Sequence, residues 1–140
     1  LRFITLAMRI SSELERVGDE ATTISRRSLE LMKHEPLRLD MPIESMAQMV
    51  TDMLREALDT FVYRKPDLAR EIVLRDKQVD QLNKAIQAQM TETMLKHPDH
   101  IVRSLHLMTI AKSMERIGDH ASNIAEQVVF LCEAEDIRHQ

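Results

Sequence analysis

The sequence predicts an all-α fold: an antiparallel three-helix bundle preceded by one extra long helix. Composition is the first observation, because only 3% of the 140 residues are aromatic, tryptophan is absent and methionine occurs ten times. Such a mixture forms few strands, whereas Leu, Met, Ala, Glu, Lys and Arg favour helices. The second observation is that apolar residues recur at alternating spacings of three and four, which is typical of packed helices. The third is an internal repeat.

Prolines and apolar periodicity divide the chain into four predicted helices. Pro36 and Pro42 lie in a segment without periodicity, Pro66 begins a new helix, and Pro98 marks a short turn. The predicted helices cover residues 1–33, 66–96 and 99–133, together with a second helix that Asp40 caps, that has Pro42 in its first turn and that ends at about residue 63. A linker over 36–42 precedes the complete repeat, and residues 134–140 form a polar tail. The tail is expected to fray because it carries no apolar seam.

A five-residue phrase occurs twice, at an offset of 100 positions. Residues 15–19 read Glu-Arg-Val-Gly-Asp and residues 115–119 read Glu-Arg-Ile-Gly-Asp, within a stretch where ten of 35 positions are identical. Because Glu, Arg, Gly and Asp do not belong to the apolar seam, their recurrence indicates a true internal repeat. Residues 43–133 are therefore predicted to form one complete three-helix repeat. Residues 1–35 would be the third helix of an earlier, truncated repeat.

Each phrase places a Glu and an Asp on one helical face beside a glycine, because residues four apart on a helix share a face. The seam predicts that Glu115 and Asp119 project away from the core. A row of small residues lies between them and the seam: Ser104, Ala111, Gly118, Ala125 and Cys132. A glycine in mid-helix costs about 1 kcal/mol relative to alanine. Its recurrence therefore calls for close helix approach or for clearance around a bound ion.

Acid pairs four residues apart are common on solvated helix faces, so the repeated phrase is the stronger signal. Asp76 and Asp80 form a further pair, which borders an apolar seam. Gathered carboxylates need a cation, and ligand sets made of oxygen favour Mg, Mn, Ca or Fe. A ferritin-like metal protein is one alternative, although the Glu-x-x-His pairs of that class are absent. A purely structural helical module is the other.

Charge and composition exclude several classes of function. A net charge of −4 gives no basic field for nucleic acid, and no apolar run approaches the roughly 20 residues of a membrane span. The single cysteine, Cys132, fits a reducing compartment. His120 is expected at the surface, with a nearby ion as an alternative partner. Arg16 and Arg116 are expected to pair with neighbouring acids.

At the two phrases the sequence resembles the PhoU family, which comprises bacterial phosphate-transport accessory proteins and phosphate-regulon regulators. The likeness includes Arg-Asp-Lys-Gln-Val-Asp at 75–80 and Asp-Ile-Arg-His at 136–139, and it covers essentially the whole chain. The resemblance implies two three-helix repeats, so this chain looks like an N-terminally truncated member. It also implies metal ligands, which would be Asp76, Asp80, Glu115 and Asp119 in the second repeat and Glu15 and Asp19 in the first.

The resemblance further implies a cytoplasmic, non-enzymatic regulator. Such a protein would negatively regulate the phosphate-responsive two-component system through its sensor histidine kinase. It would also modulate the phosphate ABC transporter through the ATPase subunit. Because the first repeat is incomplete, the helix over 1–33 is expected to leave an apolar seam unmatched. Unmatched apolar surface favours association, and we predict a homodimer, with exchange of helices as one route.

Overall fold

Four helices make up the fold in the computed structural model, which describes the backbone of residues 1–139 and the side chains of residues 1–136. They are α1 (Arg2–Leu31), α2 (Ile43–Tyr63), α3 (Pro66–Lys96) and α4 (Ile101–His139), with a 3₁₀ turn over Pro98–His100. No strand occurs in the described part of the chain. The all-α prediction is confirmed.

The turn between α2 and α3 depends on Arg64 and Pro66. Arg64 adopts a left-handed conformation with φ 53°, which ends α2 and reverses the chain. Pro66 occupies the first turn of α3, where its missing N–H is not needed. The guanidinium of Arg64 also lies 5.2 Å from the ring centroid of Phe3, which stacks on Phe61 at 5.4 Å. These contacts attach the start of α1 to the end of α2.

Helix α4 is the centre of the fold, because it packs against α1 on one side and against α2 and α3 on the other. Two rows of its residues are buried. The predicted apolar seam is one of them, and it includes Ile110, Met114, Ile117, Ala121, Ile124, Val128 and Leu131. The row of small residues is the other, and it is buried at Ser104, Ala111, Gly118, Ala125 and Cys132. The core face of α4 is therefore wider than the seam alone predicts.

Helix α1 packs antiparallel to α4, and α4 covers only part of the apolar seam of α1. Ile10 is buried, and Val17 and Ile24 pack against the core. Leu14 and Ala21, which belong to the same predicted seam, are exposed. The expected unmatched surface is therefore present on one half of the seam, while α4 covers the other half.

The predicted frayed tail is wrong over the described residues. Helix α4 continues six residues beyond the expected end at Glu133 and reaches His139, and Gln140 lies outside the described residues. The segment has no glycine or proline to stop the helix, and its Glu, Ala and Arg residues favour helical conformation. Arg64 Nε also lies 3.8 Å from Glu135 Oε1. Within the described residues, no helix is both long enough and apolar enough to cross a membrane.

Candidate acidic site between α3 and α4

Four carboxylates come together where α3 and α4 are in contact. Asp76 and Asp80 lie one turn apart on α3, and Glu115 and Asp119 lie one turn apart on α4. All three of the others contribute to the charge around Asp76. We call these four residues the acidic quartet. The structure thus brings together the four residues that the family resemblance assigns to the second repeat.

Gly118 allows the two helices to approach closely at the quartet. A Cβ atom at this position would lie 3.3 Å from Val79 Cγ1, 3.4 Å from Asp76 Oδ1 and 3.4 Å from Val50 Cγ1. The distance to Val79 is shorter than an ordinary van der Waals contact, and the other two are at the lower limit of one. Close helix approach is therefore the reason for glycine at this position.

The placement predicted for Glu115 away from the core is wrong. Its side chain is only 17% exposed, beside the buried small row of α4 that faces α2 and α3. A single apolar seam predicts one buried face, whereas α4 is covered by helices on several sides. Asp119 is exposed and lies at the rim of the quartet.

Burial and mutual repulsion change the proton affinity of the quartet. Burial, followed by the charges of Asp80, Asp119 and Glu115, raises the pKa of Asp76 from 3.8 to about 6. Asp76 Oδ1 is buried and has no hydrogen-bond partner among the described residues. Burial also raises the pKa of Asp80, and a hydrogen bond from its protonated carboxyl to Glu115 adds to this effect. The quartet therefore holds protons more tightly than separate surface acids do.

One cation approaches the quartet from α4 itself. Lys112 Nζ lies 2.8 Å from Glu115 Oε2, as an ion pair along one face of the helix. This oxygen is buried and makes no hydrogen bond of good geometry within the described residues. The charge of Lys84 also acts on Asp80 and opposes the rise of its pKa, so two lysines face four carboxylates and the site is short of positive charge.

The donor chemistry of the quartet suits a hard cation, but its arrangement is not yet that of a ligand set. Carboxylate oxygens are the ligands that Mg, Mn, Ca and oxygen-bound Fe prefer. Across the described residues, no group of three or more His, Cys, Asp or Glu side chains is arranged so that it holds a metal ion. The metal prediction therefore stays a prediction.

The first copy of the phrase lies apart from any comparable cluster. Glu15 and Asp19 are exposed on α1, and a Cβ atom at Gly18 would meet nothing within 4 Å in the described structure. Repeated sequence has therefore given one packed site and one open face.

A polar interface between α1 and α4 was missed by sequence reasoning. His120, expected at the surface, is only 14% exposed, and its Nδ1 lies 2.6 Å from Glu13 Oε2. Arg116 Nη1 lies 3.8 Å from Glu20 Oε1, so this arginine reaches across to α1 instead of pairing with the acids of its own phrase. The available signal was a spacing of seven among the polar residues: Glu13, Glu20 and Arg27 on α1, and His106, Ser113, His120 and Gln127 on α4.

The pairs across this interface follow local pseudo-twofold symmetry. Arg9 binds Gln127 and Arg27 binds His106 through side-chain hydrogen bonds of 3.1 and 3.2 Å. In each of the four cross-helix pairs named here, the two residue numbers add up to between 133 and 136. This is the pattern of two helices that run in opposite directions. The 100-residue offset exchanges the two helices and preserves these sums. The symmetry axis therefore passes near Val17 and Ile117.

Several known proteins resemble this chain in sequence. A family model described as the PhoU domain matches residues 43–128. A phosphate-specific transport system accessory protein PhoU homolog of Pseudomonas putida is 37% identical over 140 residues, covering 99% of this chain and 55% of that protein. The corresponding homolog of Caulobacter vibrioides is 39% identical over 143 residues, covering 100% of this chain and 61% of the relative.

Solved structures agree with these matches. A crystal structure of PhoU from Pseudomonas aeruginosa has a TM-score of 0.91 and 36% identity, covering 96% of this chain and 65% of that chain. The crystal structure of the phosphate transport system regulatory protein PhoU from Streptococcus pneumoniae has a TM-score of 0.85 and 28% identity. The match covers 94% of this chain and 62% of that chain. This chain therefore spans a little over half the length of the curated relatives that it matches.

Proposed function

This chain belongs to the PhoU family, and on that premise we propose that it regulates phosphate uptake and phosphate-starvation signalling as a non-catalytic adaptor. The observation that carries the proposal is the match of nearly the whole chain to PhoU in both sequence and fold. The curated relatives are named as accessory proteins of phosphate-specific transport, and one structural relative is named as a regulatory protein of that system. Those names support an accessory role here.

The proposed partners are the ATPase subunit of the phosphate transporter and the phosphate-responsive sensor histidine kinase, both met in the cytoplasm. The adaptor negatively regulates the two-component system and modulates the transporter. Interferometry with the chain immobilised, and with the purified ATPase subunit or the cytoplasmic part of the kinase in solution, tests this step. Saturable binding of at least one partner is expected. A folded chain that binds neither would contradict the proposal.

The open face of α1 supports a homodimer. Ser11, Gly18 and Ser25 are exposed on this face, whereas their repeat counterparts Ala111, Gly118 and Ala125 on α4 are buried against α2 and α3. Ile4 and Met8 on the same side of α1 are 60% and 69% exposed. Since the repeat matches α1 to a helix that is covered, the proposed occupant is a helix pair from a second copy. Exchange of helices is one way to place it there.

Light scattering on the chain and two variants tests this dimer. Met8→Asp places a charge on the open face of α1. Leu74→Asp places a charge on α3 instead, at an apolar residue that is 62% exposed. The parent and Leu74→Asp are expected to be dimers, while Met8→Asp dissociates because a buried charge is costly. A monomeric parent at every concentration tested would reject the dimer.

A hard cation is the second proposed ligand, and it would be held by Asp76, Asp80, Glu115 and Asp119. Its support is the buried oxygen of Asp76, which has no partner in the described structure, and the shortage of positive charge around it. Cation binding would replace protons on the quartet, so affinity should rise with pH. The bound charge would relieve the repulsion among the four carboxylates.

Calorimetric titration with Mg, Mn, Ca and Fe(II) tests the site against a control that the chain itself supplies. Glu115→Ala/Asp119→Ala removes half of the quartet, and Glu15→Ala/Asp19→Ala removes the same pair from the open repeat. Binding is expected in the parent and in the second variant but not in the first. No binding heat in the parent would reject a cation site, and the adaptor role would stand without it.

A further inference from the structure

A groove bounded by α1, α3 and α4 collects positive charge in a chain whose net charge is −4. Its volume is about 730 Å³, and its lining includes Arg27, Lys112 and Arg116 but no carboxylate among the described residues. The rest of the lining consists of neutral polar residues, among them Asn83, Gln87 and Ser113, and of the apolar Leu105 and Met108. We propose that this cationic groove binds a small phosphate-type oxyanion, either free phosphate or the phosphate group of a small ester.

The three cations retain donors for such a ligand, although Lys112 and Arg116 also lie within ion-pair distance of a carboxylate. Arg116 is 55% exposed, and its nearest carboxylate oxygen, on Glu20, is 3.8 Å away. Arg27 Nη1 donates to His106 Nδ1 at 3.2 Å, so its recorded partner is a ring nitrogen and not a carboxylate. Lys112 is 49% exposed, although it pairs with Glu115. Arginine and lysine donors to an oxyanion form charge-assisted hydrogen bonds, which are stronger than neutral ones.

The pseudo-twofold partner of the groove shows that the repeat does not by itself collect cations. This second groove, which we call the mate groove, has a volume of about 290 Å³ and is lined by Arg9, Glu13 and Arg16. In the 100-residue repeat Arg16 corresponds to Arg116, whereas Ser12 corresponds to Lys112 and Glu13 corresponds to Ser113. The mate groove therefore has two positive charges and one negative, against three positive charges in the cationic groove.

Lys112 connects the cationic groove to the acidic quartet. Its ammonium lies 2.8 Å from Glu115 Oε2 and also faces the groove. An oxyanion that draws Lys112 into the groove removes this counter-ion from Glu115. Occupancy of the groove and the ion pair between Lys112 and Glu115 are therefore linked.

The test is a calorimetric titration of the chain with inorganic phosphate and, separately, with glycerol 3-phosphate at constant low ionic strength. Saturable binding is expected for at least one, and the stronger ligand identifies the source of the phosphate group. Arg116→Gln and Lys112→Gln should each weaken binding about tenfold, since each removes one charge-assisted contact. Arg16→Gln removes the matched arginine of the mate groove and should leave affinity unchanged.

Two results would overturn the proposal. One is the absence of saturable binding of either ligand by the parent, and the other is an equal loss of affinity in Arg16→Gln and Arg116→Gln. Both arginines are more than half exposed, so helical circular dichroism should be unchanged in both variants and serves as the folding control. The titration contains no transporter or kinase, so its failure would leave the proposed adaptor function untouched.

Discussion

Gly18 and Gly118 provide a matched pair of perturbations, because the same substitution enters the same phrase in two different surroundings. At Gly18 an added methyl group meets nothing within 4 Å in the described structure, whereas at Gly118 it meets Val79, Asp76 and Val50 at 3.3–3.4 Å. Alanine replaces each glycine with one methyl group and changes no charge. Any difference between the two variants therefore reports on the contact of α4 with α2 and α3.

The two substitutions are expected to change the free energy of unfolding differently. Gly18→Ala should raise the free energy of unfolding by about 1 kcal/mol, which is the helix-propensity difference between the two residues. Gly118→Ala gains the same propensity but places its methyl group 3.3 Å from Val79 Cγ1, so Val79 must shift by a few tenths of an ångström, and overpacking of a core costs about 1–3 kcal/mol. Its net effect should lie between about zero and a loss of 2 kcal/mol.

Urea unfolding followed by circular dichroism measures both variants. It should be run at two protein concentrations, because covering of α1 by a second copy would add a cost at Gly18 that grows with concentration. A melting temperature change of about 3 °C per kcal/mol provides a second readout for a chain of this size. Equal stabilisation by both variants at the lower concentration would refute the packing reason for Gly118.

Two further predictions concern the acidic quartet and the α1–α4 interface. Since the folded chain raises the pKa of Asp76 from 3.8 to about 6, folding binds a proton between these values, and the free energy of unfolding should fall as the pH rises from about 4 to about 7. In chelator-treated samples Asp76→Asn should flatten this fall and be more stable than the parent at neutral pH, and an unchanged slope would contradict the raised pKa that burial and repulsion give Asp76. At the α1–α4 interface, a double-mutant cycle of Glu13→Gln and His120→Gln should give a coupling of about 1–2 kcal/mol, because the pair is short and mostly buried. Additive effects in urea unfolding would show that the contact contributes nothing.

The number and type of the helices were predictable, because four apolar-periodic segments are separated by Pro36, Pro42, Pro66 and Pro98. The end of α4 was not predictable from polarity. Residues after Glu133 carry no seam, yet they contain no helix breaker and the described part continues as helix to His139. An absent apolar pattern indicates lack of packing and does not indicate lack of helix.

The wider core face of α4 shows what a single seam leaves out. A heptad pattern describes contact with one neighbouring helix, whereas α4 contacts three. The row containing Ala111, Gly118 and Ala125 was visible in the sequence, but small residues give no strong apolar signal. Close approach at Gly118 made that row part of the core and brought Glu115 beside α3.

The polar interface between α1 and α4 illustrates a different gap. His120 and Glu13 each look like surface residues on their own helix, and only the docking of the two helices buries them together. Their partnership depends on a contact between positions 107 residues apart, which periodicity within one helix does not report. Polar residues spaced by seven occur on both helices, and the 100-residue repeat relates one row to the other. Taken together, these two patterns would have indicated that the rows are related by one symmetry axis.

We propose that this chain is a regulatory adaptor for phosphate uptake, and a measurement in cells provides the decisive test. A phosphate-starvation reporter is followed in phosphate-rich medium in a bacterium lacking its own PhoU protein, with and without this chain. We expect the chain, present as folded protein, to lower reporter expression towards the level of the intact strain. Expression that stays at the level of the deletion strain, with the folded chain present at normal abundance, would contradict the claim.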